Sequence, residues 1–241
     1  MLDVQDTSAL AAVFQKARRA FVLNPPASPA LNTDVEERRT VQAILKALQG
    51  AGLEKIVLQS TYGAQAGAHC GDLGVLYDFE EGARQLGTPL CVVRAAYYMS
   101  NWSSGVDAVR ASGVLETFLP ASQKVPMVAP QDVGAVAAQL LRAPVSETGV
   151  YAVEGPERYS PEDVAQVMGE VFNQPVRLAS LPKAEWLAAY RRNGFSESAA
   201  QSYAHMTEIF VTQAYDVPAS PLKGTTDLKT YFQQVLAGEN I

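Results

Sequence analysis

The chain is poor in the residues that build metal sites and disulfide frameworks: its 241 residues include two cysteines, Cys70 and Cys91, and two histidines, His69 and His205. That inventory is too small and too scattered for a cysteine scaffold or a zinc site, so no metal is expected and a reducing cytoplasm fits. Positive charge is also in the minority, with 19 Lys and Arg against 25 Asp and Glu and a formal net charge of −6. Neither a nucleic-acid backbone nor an anionic membrane surface suits such a chain, because both demand basic patches. A small-molecule ligand is the remaining expectation. Long apolar runs are missing as well: no stretch reaches the roughly eighteen residues of a membrane span. Met1-Leu2-Asp3-Val4-Gln5-Asp6 has neither a basic region nor an apolar stretch of the secretory kind, so the protein is expected to be soluble and unexported.

What the sequence does contain is an alternation of apolar runs and amphipathic stretches. Ala20-Phe21-Val22-Leu23 predicts a strand that stops at Asn24-Pro25-Pro26, where two prolines exclude further ladder bonds. Asp34 opens a helix with an apolar stripe of Val41, Ile44, Leu45 and Leu48, and the charged Glu36, Glu37, Arg38 and Arg39 read as its solvated face. Lys55 to Gln59 is a second buried strand, a glycine-studded loop and a helix follow it, and Leu90-Cys91-Val92-Val93 is a third strand. Strand-helix-strand repetition implies right-handed crossovers and an α/β fold with a doubly wound, mostly parallel sheet. Further on, Ser160-Pro161-Glu162-Asp163 supplies a cap, a first-position proline and acids where the helix dipole favours them. The reading divides the chain into a body over residues 1–144 and a smaller α+β lobe over 145–241.

Ligands of open α/β sheets bind outside the carboxyl ends of the strands. Ser60, Thr61 and Tyr62 stand at such an end, either as ligand-binding groups or as caps of the strand. After the third strand come Tyr97, Tyr98, Met99 and Trp102, aromatics with large contact area and polar tips that suit either a planar substrate or the seam between body and lobe. Gly63, Gly67, Gly71 and Gly74 follow a strand and precede a helix, but the spacing is not that of the dinucleotide fingerprint, since Ala64 and Gln65 follow Gly63. Asp132 is expected to cap its helix, and His69 and His205 read as surface residues.

Several segments in order resemble one family. Asn24-Pro25-Pro26, Lys55 to Gly63, Leu76-Tyr77-Asp78-Phe79-Glu80, Val93 to Trp102, Val125 to Val133 and Glu154 to Ser160 are together similar to the NmrA-like branch of atypical short-chain dehydrogenase/reductases, over nearly all of the chain. The resemblance implies a Rossmann-type body that binds NADP or NAD and a carboxyl-terminal substrate lobe. It also implies either reductases of quinones and similar carbonyl compounds or nucleotide sensors without turnover. On it, the cofactor is expected at Asn24, Pro25, Pro26, Ser60, Thr61, Tyr62, Gly63, Ala95, Ala96 and Tyr97, and the substrate at Tyr77, Tyr98, Asn101, Trp102 and Met127.

Two departures stand out. The chain opens at a segment matching the one after the family's third strand, so the glycine-rich βαβ unit that holds the pyrophosphate is absent from the sequence. The strand at 20–23 is then expected to have an open edge, and the chain to form a homo-oligomer through it or to be poorly soluble. Short-chain dehydrogenases also use a Tyr-x-x-x-Lys pair, whereas Tyr77 is followed by Glu80 and Glu81 and no lysine, which opposes phenolate formation. No catalytic residue is assigned.

Overall fold

The computed structural model describes residues 2–67 and 69–238. The strand order of its main sheet is β1 (Arg19–Val22), β2 (Lys55–Thr61), β3 (Leu90–Ala95), β7 (Gly149–Glu154) and β10 (Leu222–Lys223). β1 and β2 are parallel, with Arg19 opposite Lys55 and Val22 opposite Leu58, and β10 is parallel to β7. The doubly wound α/β reading is thus the observed architecture. By compactness the chain divides into two interleaved units. One comprises the chain up to Arg94, Val136–Tyr151 and Leu187–Val217; the other comprises Ala95–Ala135, Ala152–Trp186 and the chain from Pro218. Neither unit is a continuous stretch, so this division runs across the boundary expected at residue 144.

The first unit is built on β1 and β2 with helices α1 (Thr7–Phe14), α2 (Thr33–Leu48), α3 (Asp72–Gln85) and α8 (Glu197–Val211), together with most of β3. α2 starts where Asn32 Oδ1 accepts the Val35 amide, and its Val41, Ile44 and Leu48 are buried with Ile56, Leu58, Phe79 and Val92 in one core. Each such side chain contributes about 1.5–3 kcal/mol through removal from water. At the amino edge of the sheet, Arg19 donates to the carbonyls of Leu141 and Ala143, and the fully buried Lys55 Nζ donates to the Pro144 carbonyl at 3.0 Å. These cations satisfy carbonyls at and just beyond the end of α5 (Pro130–Arg142), where the helix dipole also favours positive charge.

In the second unit, β4 (Tyr97–Tyr98) runs parallel to β6 (Val125–Val128), which pairs antiparallel with β8 (Arg158–Tyr159). β5 (Val114–Thr117) and β9 (Arg177–Ser180) form a separate parallel pair. Between β4 and β5 the chain forms a 3-10 turn, Met99–Gly105, followed by α4 (Val106–Ser112). α6 (Pro161–Phe172) begins with a full capping box: Ser160 Oγ accepts the Asp163 amide at 3.2 Å, and Asp163 Oδ2 accepts the Ser160 amide at 2.7 Å. α7 (Lys183–Arg192) and α9 (Leu228–Ala237) complete the described elements. No helix among the described residues is long and apolar enough to cross a membrane.

Candidate functional site

In the first unit the carboxyl ends of β1 and β2 carry Asn24-Pro25-Pro26 and Thr61-Tyr62-Gly63. The Asn24 side-chain oxygen Oδ1 is buried and has no hydrogen-bond partner among the described residues, and the same holds for the hydroxyl of Thr33 at the start of α2. Buried polar atoms are paired in nearly all native structures, so an orphan acceptor at a strand end is what a site for a hydrogen-bonding ligand leaves behind. Gly63 lies at φ +77°, and a Cβ there would come within 3.3 Å of the Tyr215 ring, so backbone angle and packing both require glycine.

Ser60 belongs to a different group. Its hydroxyl donates to Glu80 Oε1 at 2.6 Å, and that fully buried carboxylate also receives Arg94 Nε at 2.9 Å, Arg94 Nη2 at 2.8 Å and Arg84 Nη2 at 2.9 Å. Burial pushes the Glu80 carboxyl up, but the bonds from Arg94 and Ser60 and the Arg94 charge outweigh it and hold it below the usual carboxylate range. Ser60 is therefore an internal strut between β2 and α3 and not a free strand-end donor. Glu80, expected to act on Tyr77, spends its charge on this network, while Tyr77 lies half-buried on α3.

The second unit brings most of the aromatic set together. Tyr97 and Trp102 have ring centroids 5.9 Å apart at 58°, and Tyr97 stands opposite Met127 in the β4–β6 register. Trp102 is 5 % exposed, yet its indole N–H has no hydrogen-bond partner among the described residues. Burial pushes the Tyr98 hydroxyl up to about 12, so it stays protonated and can only act as a phenol. Asn101 is exposed. Met127, expected to contact substrate, is fully buried: its side chain is core, and its carbonyl accepts the Gly155 amide at 2.6 Å. Ala95 and Ala96 are also buried, which leaves backbone and small surface as their contribution.

Other residues have roles that sequence reasoning missed. Asp132 accepts the Thr226 amide at 3.0 Å and its hydroxyl at 3.1 Å, and so pins the segment before α9. His205 Nδ1 lies 3.0 Å from the His69 carbonyl, and His69 Nδ1 is 3.6 Å from Asp34, so both histidines have partners. Glu37, read as part of a solvated face, is 2 % exposed. Its spacing from Val41, Ile44 and Leu48 places it on their stripe, a signal visible in the sequence but overridden there by its charge. A broad cavity of about 540 Å³, lined by Arg84, Gly87, Pro89, Leu90, Val145 and Val150 among others, opens where β3 and β7 begin. It contains none of the candidate residues.

A mostly parallel α/β sheet with an orphan acceptor and permissive glycine at its strand ends defines a nucleotide-binding type of fold. More particularly, residues 1–235 match the NmrA-like family, and the chain belongs to it. It is 25% identical to an NAD(P)H azoreductase from Xenophilus azovorans, over 91% of this chain and 73% of that protein. Among solved structures it is similar in fold to the triphenylmethane reductase of Citrobacter sp., with a TM-score of 0.78, 17% identity, and coverage of 98% of this chain and 82% of the other. It is likewise similar to an NADPH-dependent quinone oxidoreductase of Escherichia coli complexed with NADPH, with a TM-score of 0.76, 18% identity and coverage of 98% and 82%.

Proposed function

We propose that the protein is an NAD(P)H-dependent oxidoreductase that reduces small, flat, conjugated acceptors such as quinones. The observation that carries this reading is the buried, unpartnered indole N–H of Trp102 beside the Tyr97 ring. A conjugated ring fits against aromatic faces, and a donor with no internal partner is placed to bond its carbonyl oxygen. Similar proteins named for the reduction of azo compounds, triphenylmethane dyes and quinones support the substrate class.

For the cofactor, Asn24 Oδ1 would accept from a hydroxyl or amide of the dinucleotide, the Gly63 backbone would approach it closely, and Pro25, Pro26, Thr61 and Tyr62 would supply the remaining contacts. When bound, that group supplies the hydride. The chain's part is orientation: Trp102 polarises the acceptor's oxygen, and Tyr98 remains a neutral donor because burial holds its proton.

A second reading is nucleotide sensing without turnover, favoured by the absence of a lysine three or four residues after Tyr77. Cofactor fluorescence titrated with the protein, followed by NADPH absorbance in the presence of a quinone series, separates the two. Saturable binding with quinone-dependent NADPH oxidation is expected. Saturation without oxidation favours the sensor, and no saturation at millimolar NADPH or NADH sinks both. As to assembly, we propose a homodimer through β1, an end strand with exposed Phe21 followed by exposed Leu23.

A further inference from the structure

Inside the first unit, the starts of α2 and α3 bring three carboxyl groups together with no lysine or arginine among the described residues bonded to any of them. Glu37 on α2 is buried, accepts the Ala27 amide on Oε1 at 3.0 Å and is hydrogen-bonded to the Asp72 carboxyl on α3. Two carboxyl groups can share a hydrogen bond only if one keeps its proton. Asp34 lies close to both. The cation nearest along α2, Arg38, is taken by Asp78, and the charge-capable neighbour of Asp34 is His69, 3.6 Å away, beside the buried Cys70 thiol.

Helix α8 closes this cluster. Ser202 Oγ donates to Asp34 Oδ1 at 2.8 Å and accepts the Gly71 amide at 2.9 Å, and the Tyr203 hydroxyl donates to Asp72 Oδ1 at 3.4 Å. Tyr190 on α7 also faces Asp72 and Tyr203, with its hydroxyl bonded to Thr207 at 2.7 Å. Gly71 sits at φ +55°, and a Cβ there would lie 2.9 Å from Met206 Sδ, so α8 seats directly on the loop that follows β2.

We propose that Glu37 and Asp72 share a single proton and that this proton latches α8 onto α2, α3 and Gly71 at the head of α3. Removing the proton leaves the buried Glu37 carboxylate against the half-buried Asp72 carboxylate, with no bonded lysine or arginine among the described residues, an arrangement the protein relieves by letting α8 loosen. Burial, the Asp72 charge and the Asp34 charge push the Glu37 carboxyl up to about 8 from an ordinary 4.5. A carboxyl raised in the closed state stabilises it most at low pH. Between the two values the ratio of closed to open form falls about tenfold per pH unit, the signature of one linked proton.

The test uses the full chain without nucleotide, so its outcome is separate from that of the proposed oxidoreductase activity. Amide exchange over 199–207, corrected for the intrinsic pH dependence, should show α8 opening about tenfold more often per unit from pH 5 to pH 8. In Glu37→Gln, which cannot ionise, the profile should be flat. A flat wild-type profile, or an equally steep variant, overturns the latch. Should the variant fail to fold, infrared spectroscopy of the wild type decides. The carbonyl band of a protonated carboxylic acid should be present at pH 6 and vanish by pH 9, and its absence at pH 6 overturns the proposal.

Discussion

Arg94 at the end of β3 grips the Glu80 carboxylate on α3 with two nitrogens, Nε to Oε1 at 2.9 Å and Nη2 to Oε2 at 2.8 Å. The fork fixes α3 against the strand that leads to the aromatic segment. Arg94→Ala should destabilise the protein by about 2–4 kcal/mol, since breaking one side of a buried pair leaves a costly charge and only Arg84 and Ser60 remain to offset it. Because the Glu80 carboxyl is held low in the fold, the pair contributes stability above the ordinary carboxylate value of 4.5 and loses it as pH falls through the depressed one. Urea unfolding should thus show a shallower acid loss in Arg94→Ala than in the wild type. Parallel pH profiles would mean that Arg94 does not hold the Glu80 carboxyl low.

Asn24→Ala separates ligand binding from folding. The buried side-chain oxygen it removes has no partner among the described residues, so thermal stability should stay within about 1 kcal/mol or rise. The dissociation constant for NADPH should increase roughly fivefold to tenfold, the equivalent of about one hydrogen bond. A variant that melts early yet binds NADPH as tightly as the wild type would show that Asn24 serves the fold.

Trp102→Phe keeps an aromatic ring and deletes the indole N–H. Quinone reduction should fall roughly tenfold in kcat/KM, with NADPH affinity unchanged. Unaltered turnover would place the substrate elsewhere.

The exposed edge of β1 leads to a measurement of mass. Light scattering after size exclusion should report a dimer, and Phe21→Lys, with a charge on the edge, a monomer. A wild-type monomer at every concentration would show that this edge stays unpaired.

The sequence alone settled whatever depends on short-range physics. Apolar runs bounded by turn residues located β2 and β3, the two prolines after Asn24 ended the strand at β1, and Ser160-Pro161-Glu162-Asp163 announced α6 together with its capping box. Such signals are local, since caps and prolines act within one turn of themselves. The tertiary structure decided every question about what stands opposite a polar side chain. Ser60 reads as a strand-end hydroxyl until the carboxylate of Glu80, twenty residues away, is found 2.6 Å from it. Glu37 reads as solvated until α3 and α8 wall it in, and Asp132 reads as a helix cap until Thr226 arrives, 94 residues later, to use both of its oxygens. Burial and ionisation belong to an environment assembled from distant segments, and one segment's sequence cannot specify its neighbours' positions.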